Sequence, residues 1–176
     1  DKLQGEIDKQ RHRDGEKNEV SYSFDIQPYP YQQAILDALR TERLGKDRWH
    51  NLVVAATGTG KTAISAFDYR NFYQSRKGNA KLLFIAHREE ILEQSLSCFR
   101  QVMKDPNFGE LAVGNHHATH SEHLFMSIQT FNSRQFWENM NPNYYDMIIV
   151  DEFHHAAAKG YQKLLTYFHP KILLGL

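Results

Sequence analysis

A glycine-rich segment, Ala-Ala-Thr-Gly-Thr-Gly-Lys-Thr at residues 55–62, constrains the fold of this chain more than any other feature. It follows the apolar stretch 51–54 and opens a helix-forming stretch, 63–67. Strand, glycine loop, Lys-Thr and helix, in that order, form a phosphate-binding loop in α/β proteins. The alternative, a glycine-rich turn without a ligand, does not explain why Lys-Thr stands between the loop and the helix.

The residue types in this loop match what a nucleotide phosphate requires. Gly58 and Gly60 allow a tight turn that brings backbone N–H groups up to phosphate oxygens. The following helix N-terminus adds partial positive charge. Lys61 is expected to reach the β- and γ-phosphates, and the Thr62 hydroxyl is expected to bind Mg²⁺. The nucleotide-binding residues predicted from the loop are Thr57, Gly58, Thr59, Gly60, Lys61 and Thr62.

A second segment places two acids after a buried strand. Residues 145–150 are mostly apolar, with β-branched residues at their end, and Asp151 and Glu152 follow directly. An acid at the carboxyl end of a parallel strand points into the crevice where α/β sheets bind ligands. Asp151 is therefore predicted to hold Mg²⁺, and Glu152 to orient or deprotonate the attacking water. The alternative is that these acids only cap a helix beginning near Ala156.

These motifs together resemble the first RecA-like domain of superfamily 2 helicases and translocases. Residues 55–62 are similar to motif I, with Ala55 in its first position, and residues 151–154 to motif II in its DExH form. Within the superfamily the chain looks closest to restriction-enzyme helicase subunits of the type III Res kind, and to their DNA-repair relatives. Further similar segments are the Pro-Tyr-Gln run at 30–33, motif Ia at 84–92, the Thr-x-Gln-Thr-like segment at 127–131, and the strand before motif III at 171–176.

The resemblance implies roles for individual residues. Gln32 would read the adenine edge, with which a side-chain amide can pair bidentately. Arg88, Gln129 and Thr130 would contact the nucleic-acid backbone, and His154 would link the ATP site to the second domain. The catalytic residues implied are Lys61, Asp151 and Glu152. For Arg88, the alternative is an ion pair with Glu89 or Glu90 on a solvated helix face.

The implied function is an ATP-binding and ATP-hydrolysing motor domain of a DNA helicase or translocase, with ATP and Mg²⁺ as ligands. The expected partners are DNA, a second RecA-like domain in the same chain, and nuclease or modification domains or subunits. Two alternatives stay open: a DExH RNA helicase, and a nucleotide-binding switch without motor activity. No arginine finger is identifiable in this sequence, and in the family it comes from the second domain. The fragment alone is therefore predicted to be nearly inactive.

The sequence predicts strands at 52–56 and 82–86 and helices from 61 to about 75 and near 130–138. The alternation of strand-like and helical stretches from residue 29 onward predicts a mainly parallel sheet with helices on both faces. We expect one RecA-like domain at 24–176, ending before motif III. Residues 1–23 are rich in charged side chains and are interpreted as a linker or the end of a preceding domain.

Composition excludes some classes of protein. The formal net charge is zero, so any nucleic-acid surface must be local. No apolar stretch is long enough for a membrane span, and the single cysteine, Cys98, is expected to be structural. A reducing, cytoplasmic location follows from these features. The histidines at 116, 117, 120 and 123 suggest zinc, but their loop-like context and lack of cysteines favour solvated side chains.

Overall fold

The computed structural model describes residues 25–56 and 60–176. Its centre is a single six-stranded sheet. The strands are β1 (His50–Leu52), β2 (Leu82–Ala86), β3 (Glu110–Ala112), β4 (His123–Ser127), β5 (Met147–Val150) and β6 (Ile172–Gly175). The α-helices are α1 (Pro30–Arg40), α2 (Lys61–Ser75), α3 (Glu89–Met103), α4 (Ile128–Ser133) and α5 (Gln162–Tyr167). A π-helical turn, Thr41–Gly45, continues α1, and two 3₁₀ turns, Phe153–His155 and Lys159–Tyr161, lie between β5 and α5.

The strand order is β1-β6-β5-β2-β4-β3, and every neighbouring pair is parallel. Parallel neighbours require crossover connections, which the helices provide. The register places Ile85 opposite Val150 of β5 on one side and Met126 of β4 on the other. The central strands are consequently buried on both faces, which explains their continuous apolar sequences.

Alternating side chains of the strands supply two separate cores. Phe84 of β2 and Ile149 of β5 belong to the core under α1, α2 and α3. Their neighbours Ile85 and Ile148 point to the opposite face, where α4 and α5 pack around Phe131 and other aromatic rings. The strand period of two thus divides the apolar residues between the faces. The predicted fold class, a mainly parallel sheet with helices on both faces, is confirmed.

The largest differences from the sequence prediction concern one strand and one helix. The first strand was expected at 52–56, but β1 ends at Leu52, where its partner β6 also ends. A helix was expected from about 130 to 138, but α4 ends at Ser133. Gln135 takes a left-handed backbone conformation (φ 48°) that stops the helix, and the Phe136 ring then packs against Phe131.

Within the described ranges, no helix combines the length and the apolar character that crossing a bilayer requires. The linker predicted at residues 1–23 lies outside the described residues.

Candidate functional site

The carboxyl ends of three neighbouring strands are joined by backbone hydrogen bonds that continue beyond the strands themselves. Val53 N–H donates to the Gly175 carbonyl at 2.9 Å, and Leu176 N–H donates to the Val150 carbonyl at 3.0 Å. Phe153 N–H then donates to the Leu176 carbonyl, also at 3.0 Å. The segment entering the phosphate loop and the segment carrying the two acids therefore share one edge of the sheet, as the sequence predicted.

The phosphate loop leads into α2 through Gly60, whose φ of 76° is in the left-handed region that glycine adopts without strain. Lys61 and Thr62 form the first turn of α2, and both are half-buried. The predicted ligands Thr57, Gly58 and Thr59 lie outside the described residues. The start of α2 thus places a cation and a hydroxyl in its first turn, directly after the predicted loop.

Gln32 lies against this loop. A Cβ atom placed on Gly60 would be 2.7 Å from Gln32 Nε2. Gln32 is only 4% exposed, and its Oε1 accepts a hydrogen bond from Tyr29 N–H at 2.9 Å. The amide therefore caps α1 and supports the phosphate loop, with one oxygen lone pair already used. Adenine recognition by Gln32 stays a prediction.

Two tyrosine rings precede Gln32 at the start of α1, and the sequence predicts no ligand contact for either of them. The rings of Tyr29 and Tyr31 are stacked, with centroids 6.2 Å apart and planes 8° apart. They are 67% and 47% exposed.

Asp151 follows β5, and its N–H donates to the Ile85 carbonyl of β2 at 2.9 Å. Burial raises the pKa of its carboxyl group, while the nearby positive charge of Lys61 acts in the opposite direction. Its Oδ1 accepts a hydrogen bond from Glu152 N–H at 2.8 Å. A carboxylate and the Thr62 hydroxyl at one edge are oxygen donors of the kind Mg²⁺ prefers, so these residues fit that ion.

Glu152 has a left-handed backbone conformation, φ 53° and ψ 51°, which is unusual for a residue with a side chain. Its Oε1 accepts a hydrogen bond from Arg88 Nη2 at 2.8 Å. Its Oε2 lies 3.7 Å from His155 Nε2. Arg88 thus pairs with the acid of the neighbouring strand end, and neither Glu89 nor Glu90 is its partner.

The other two residues predicted to contact nucleic acid differ in accessibility. Gln129 is exposed, and its Nε2 lies 3.2 Å from His87 Nδ1 at the end of β2. Thr130 is 5% exposed, and its N–H donates to Ser127 Oγ at 3.1 Å, which caps α4. The structure therefore brings Arg88 and Gln129 to the surface at adjacent strand ends and does not bring Thr130 there.

The histidines considered as ligands or coupling residues lie in two segments of the chain. His154 and His155 follow the acids, are exposed, and have ring centroids 4.1 Å apart. His116, His117 and His120 are exposed on the segment between β3 and β4, whereas His123 packs among aromatic rings. Across residues 25–56 and 60–176, no three His, Cys, Asp or Glu side chains are grouped to hold a metal.

A family model for the type III restriction enzyme res subunit matches residues 25–176. The chain belongs to this family. The match covers the whole described part of the chain, so both the phosphate loop and the Asp151 segment lie within the res-subunit domain.

Two curated yeast proteins are similar to this res-subunit domain. IRC3 of Saccharomyces cerevisiae, named as an ATP-dependent helicase, is 30% identical over 145 residues, which is 78% of this chain and 20% of the yeast protein. Irc3 of Schizosaccharomyces pombe, named as a mitochondrial ATP-dependent helicase, is 28% identical over 146 residues, which is 82% of this chain and 24% of that protein. The chain therefore spans a fifth to a quarter of the curated relatives it matches.

Solved helicase structures have the same fold. The UvsW helicase of bacteriophage T4 superposes with a TM-score of 0.65 at 17% identity, covering 86% of this chain and 52% of UvsW. The type ISP restriction-modification enzyme LlaGI, a nuclease-deletion mutant in complex with a DNA substrate mimic, gives 0.63 at 15% identity, covering 85% and 17% of the chains. The described part of the chain therefore has the fold of these helicase structures.

Proposed function

We propose that this domain binds and hydrolyses ATP as the first of two RecA-like domains in a DNA helicase or translocase. The observation that carries the proposal is the shared sheet edge: backbone hydrogen bonds join the segment that enters the phosphate loop to the segment with Asp151 and Glu152, and the positive charge of Lys61 acts on Asp151. A cation, a hydroxyl and two carboxylates are the groups that phosphoryl transfer to water requires.

Each residue has a distinct task in this reaction. Lys61 places a positive charge beside the β- and γ-phosphates, where negative charge is highest. Asp151 and the Thr62 hydroxyl would hold Mg²⁺, which when bound neutralises charge on the phosphate oxygens. Glu152 orients the attacking water and accepts its proton. An arginine finger from the second domain would complete the site, and such a residue is worth ~10³ to 10⁵ in rate.

DNA is the favoured polynucleotide because the matching family is that of a restriction enzyme subunit, and the similar enzyme LlaGI is described in complex with a DNA substrate mimic. Arg88 and Gln129, exposed at adjacent strand ends, supply groups suited to a phosphate backbone. Such contacts position a strand and read no sequence, so we expect binding without sequence preference through this domain.

The test is ATP hydrolysis by the full-length parent protein with no polynucleotide, single-stranded DNA, duplex DNA or RNA. Lys61→Ala removes the positive charge proposed to contact the phosphates, and Glu152→Gln removes the proposed base. Lys77→Ala is the matched control, because Lys77 is an exposed cation just beyond the far end of α2. We expect stimulation by DNA, a loss of ~10² or more in kcat for Glu152→Gln, and wild-type behaviour for Lys77→Ala.

Stimulation only by RNA would assign the protein to the RNA helicases instead. Activity indifferent to every polynucleotide would favour a nucleotide switch and overturn the motor proposal. The 176-residue chain alone should bind nucleotide weakly and turn it over very slowly, because it contributes no arginine finger. Turnover by this chain close to that of the parent would contradict the two-domain account. The cytoplasmic location stays a prediction, and one relative is named as mitochondrial.

A further inference from the structure

The side chain expected to contact nucleic acid and the side chain expected to activate water are bonded to each other. Arg88 Nη2 lies 2.8 Å from Glu152 Oε1. These two residues are 64 positions apart in the sequence, and they meet because β2 and β5 are neighbours in the sheet. The Arg88 side chain is 61% exposed and that of Glu152 is 26% exposed, so the guanidinium is the accessible partner.

The backbone conformation of Glu152 directs its side chain toward Arg88. Its left-handed conformation turns the side chain away from the path that an extended continuation of β5 would give. Its N–H is held by Asp151 Oδ1 at 2.8 Å, and its second carboxylate oxygen faces His155 Nε2 at 3.7 Å. Both carboxylate oxygens of Glu152 therefore have a neighbouring nitrogen.

This pairing opposes the role of a general base. A carboxylate oxygen that accepts a charge-assisted hydrogen bond from a guanidinium is held in one position by that bond. The lone pair directed at Arg88 is also unavailable to a water molecule. Glu152 in this arrangement is thus less able to orient and deprotonate water than a carboxylate without the arginine.

A nucleic-acid phosphate would compete for the same guanidinium. Arginine binds phosphate and carboxylate groups with similar geometry, and both interactions are charge-assisted. Gln129, exposed beside His87 at the next strand end, offers a second polar contact for a backbone at this position. Resting on the function proposed above, we propose that Arg88 is a positioning residue that restrains Glu152 until a polynucleotide phosphate takes over the guanidinium.

The experiment measures kcat and KM for ATP with the full-length protein, first without polynucleotide and then with saturating single-stranded or duplex DNA. For Arg88→Ala we expect basal kcat to rise about twofold to fivefold, which is the factor that corresponds to the free energy of an exposed ion pair. KM for ATP should not change, and the ratio of DNA-stimulated to basal kcat should fall. Arg88→Lys keeps a cation without the planar fork, so its basal kcat should lie between those of wild type and Arg88→Ala.

Salt gives a second, independent readout. The Debye length falls from about 10 Å at 0.1 M to about 3 Å at 1 M salt, which weakens an exposed ion pair. The basal kcat of the wild-type protein should therefore rise with salt relative to that of Arg88→Ala, and the two should converge. Lys77→Ala, which removes an exposed cation elsewhere, should follow the wild type throughout.

A basal kcat for Arg88→Ala that is unchanged or lower, with DNA stimulation present in the wild type, would overturn this inference and leave the motor function standing. Unchanged basal kcat with weaker stimulation would make Arg88 a phosphate contact only. Lower kcat in both conditions would make the ion pair a requirement for catalysis. Absence of DNA stimulation in the wild type would instead count against the proposed function itself.

Discussion

We predict that mildly acidic pH lowers the free energy of unfolding of this domain because of His123, the first residue of β4. The ring is packed against Phe108 at a centroid distance of 4.4 Å and against Tyr69 at 5.5 Å. His123 Nε2 lies 2.6 Å from the Tyr69 hydroxyl. Burial raises the pKa of Tyr69, so its hydroxyl stays protonated. It can therefore donate a hydrogen bond to the neutral imidazole of His123.

Burial lowers the pKa of His123 from the usual 6.5 to about 4, although Glu122 and Asp105 act in the opposite direction. Above pH 6.5 the imidazole is neutral in the folded and unfolded chains, and it contributes no pH dependence. Between pH 6.5 and 4 the unfolded chain binds a proton that the folded chain does not, so stability falls as the pH falls. At about 1.4 kcal/mol for each pH unit, the loss reaches about 3 kcal/mol.

Urea unfolding of the 176-residue chain at pH 7, 6, 5 and 4 measures this loss. Other groups also titrate in this range, so the free energy of unfolding of the wild type is compared with that of His123→Gln at each pH. Glutamine keeps an acceptor for the Tyr69 hydroxyl and has no proton to gain. We expect the wild type to lose about 3 kcal/mol more than the variant between pH 7 and 4.

NMR measures the protonation state of the His123 ring directly. The NMR signal of the His123 ring should be that of a neutral imidazole at pH 5. Parallel stability curves for wild type and His123→Gln, or a His123 ring that is protonated at pH 5, would refute the reasoning.

Three further substitutions test other contacts. Arg43→Met should cost about 3 to 5 kcal/mol in urea unfolding, because it leaves the buried Asp68 carboxylate without its two hydrogen bonds of 2.6 and 2.8 Å. In Gly175→Ala, the new Cβ would lie 2.7 Å from Phe153 Cγ, so we expect a loss of about 1 to 3 kcal/mol and weaker ATPase activity. Gly60→Ala, at φ 76°, should abolish binding of a fluorescent ATP analogue, and retained affinity would contradict the predicted phosphate loop.

Much of the fold could be predicted because its elements are determined locally. The boundaries of α2 and β2 agree with those expected from the sequence, since glycine and polar residues end the apolar segments sharply. Boundaries that depend on distant partners could not be predicted. β1 begins at His50, before the apolar stretch, because it pairs with β6, and nothing in residues 50–56 encodes that pairing.

The candidate site shows the same division. The positions of Lys61, Asp151 and Glu152 at helix and strand ends could be predicted, because each follows or precedes a recognisable element in the sequence. Outside the site, the Arg43–Asp68 pair could not be predicted, because a buried arginine within a π-helical turn has no pattern that distinguishes it from a solvated one. Gln32 was predicted for its position, but its contacts with Gly60 and with the start of α1 required the structure.

The order of the strands determines how the binding of a polynucleotide could affect Glu152. In the proposed motor, nucleic acid is contacted at the ends of β2 and β4, and water is activated at the end of β5. Because β2 lies between β4 and β5, one side chain at its end, Arg88, reaches the acid of β5 directly. A signal from polynucleotide to Glu152 would then need no movement of the buried sheet, whose central strands are packed on both faces and resist deformation. A single exposed hydrogen bond at the edge would be sufficient.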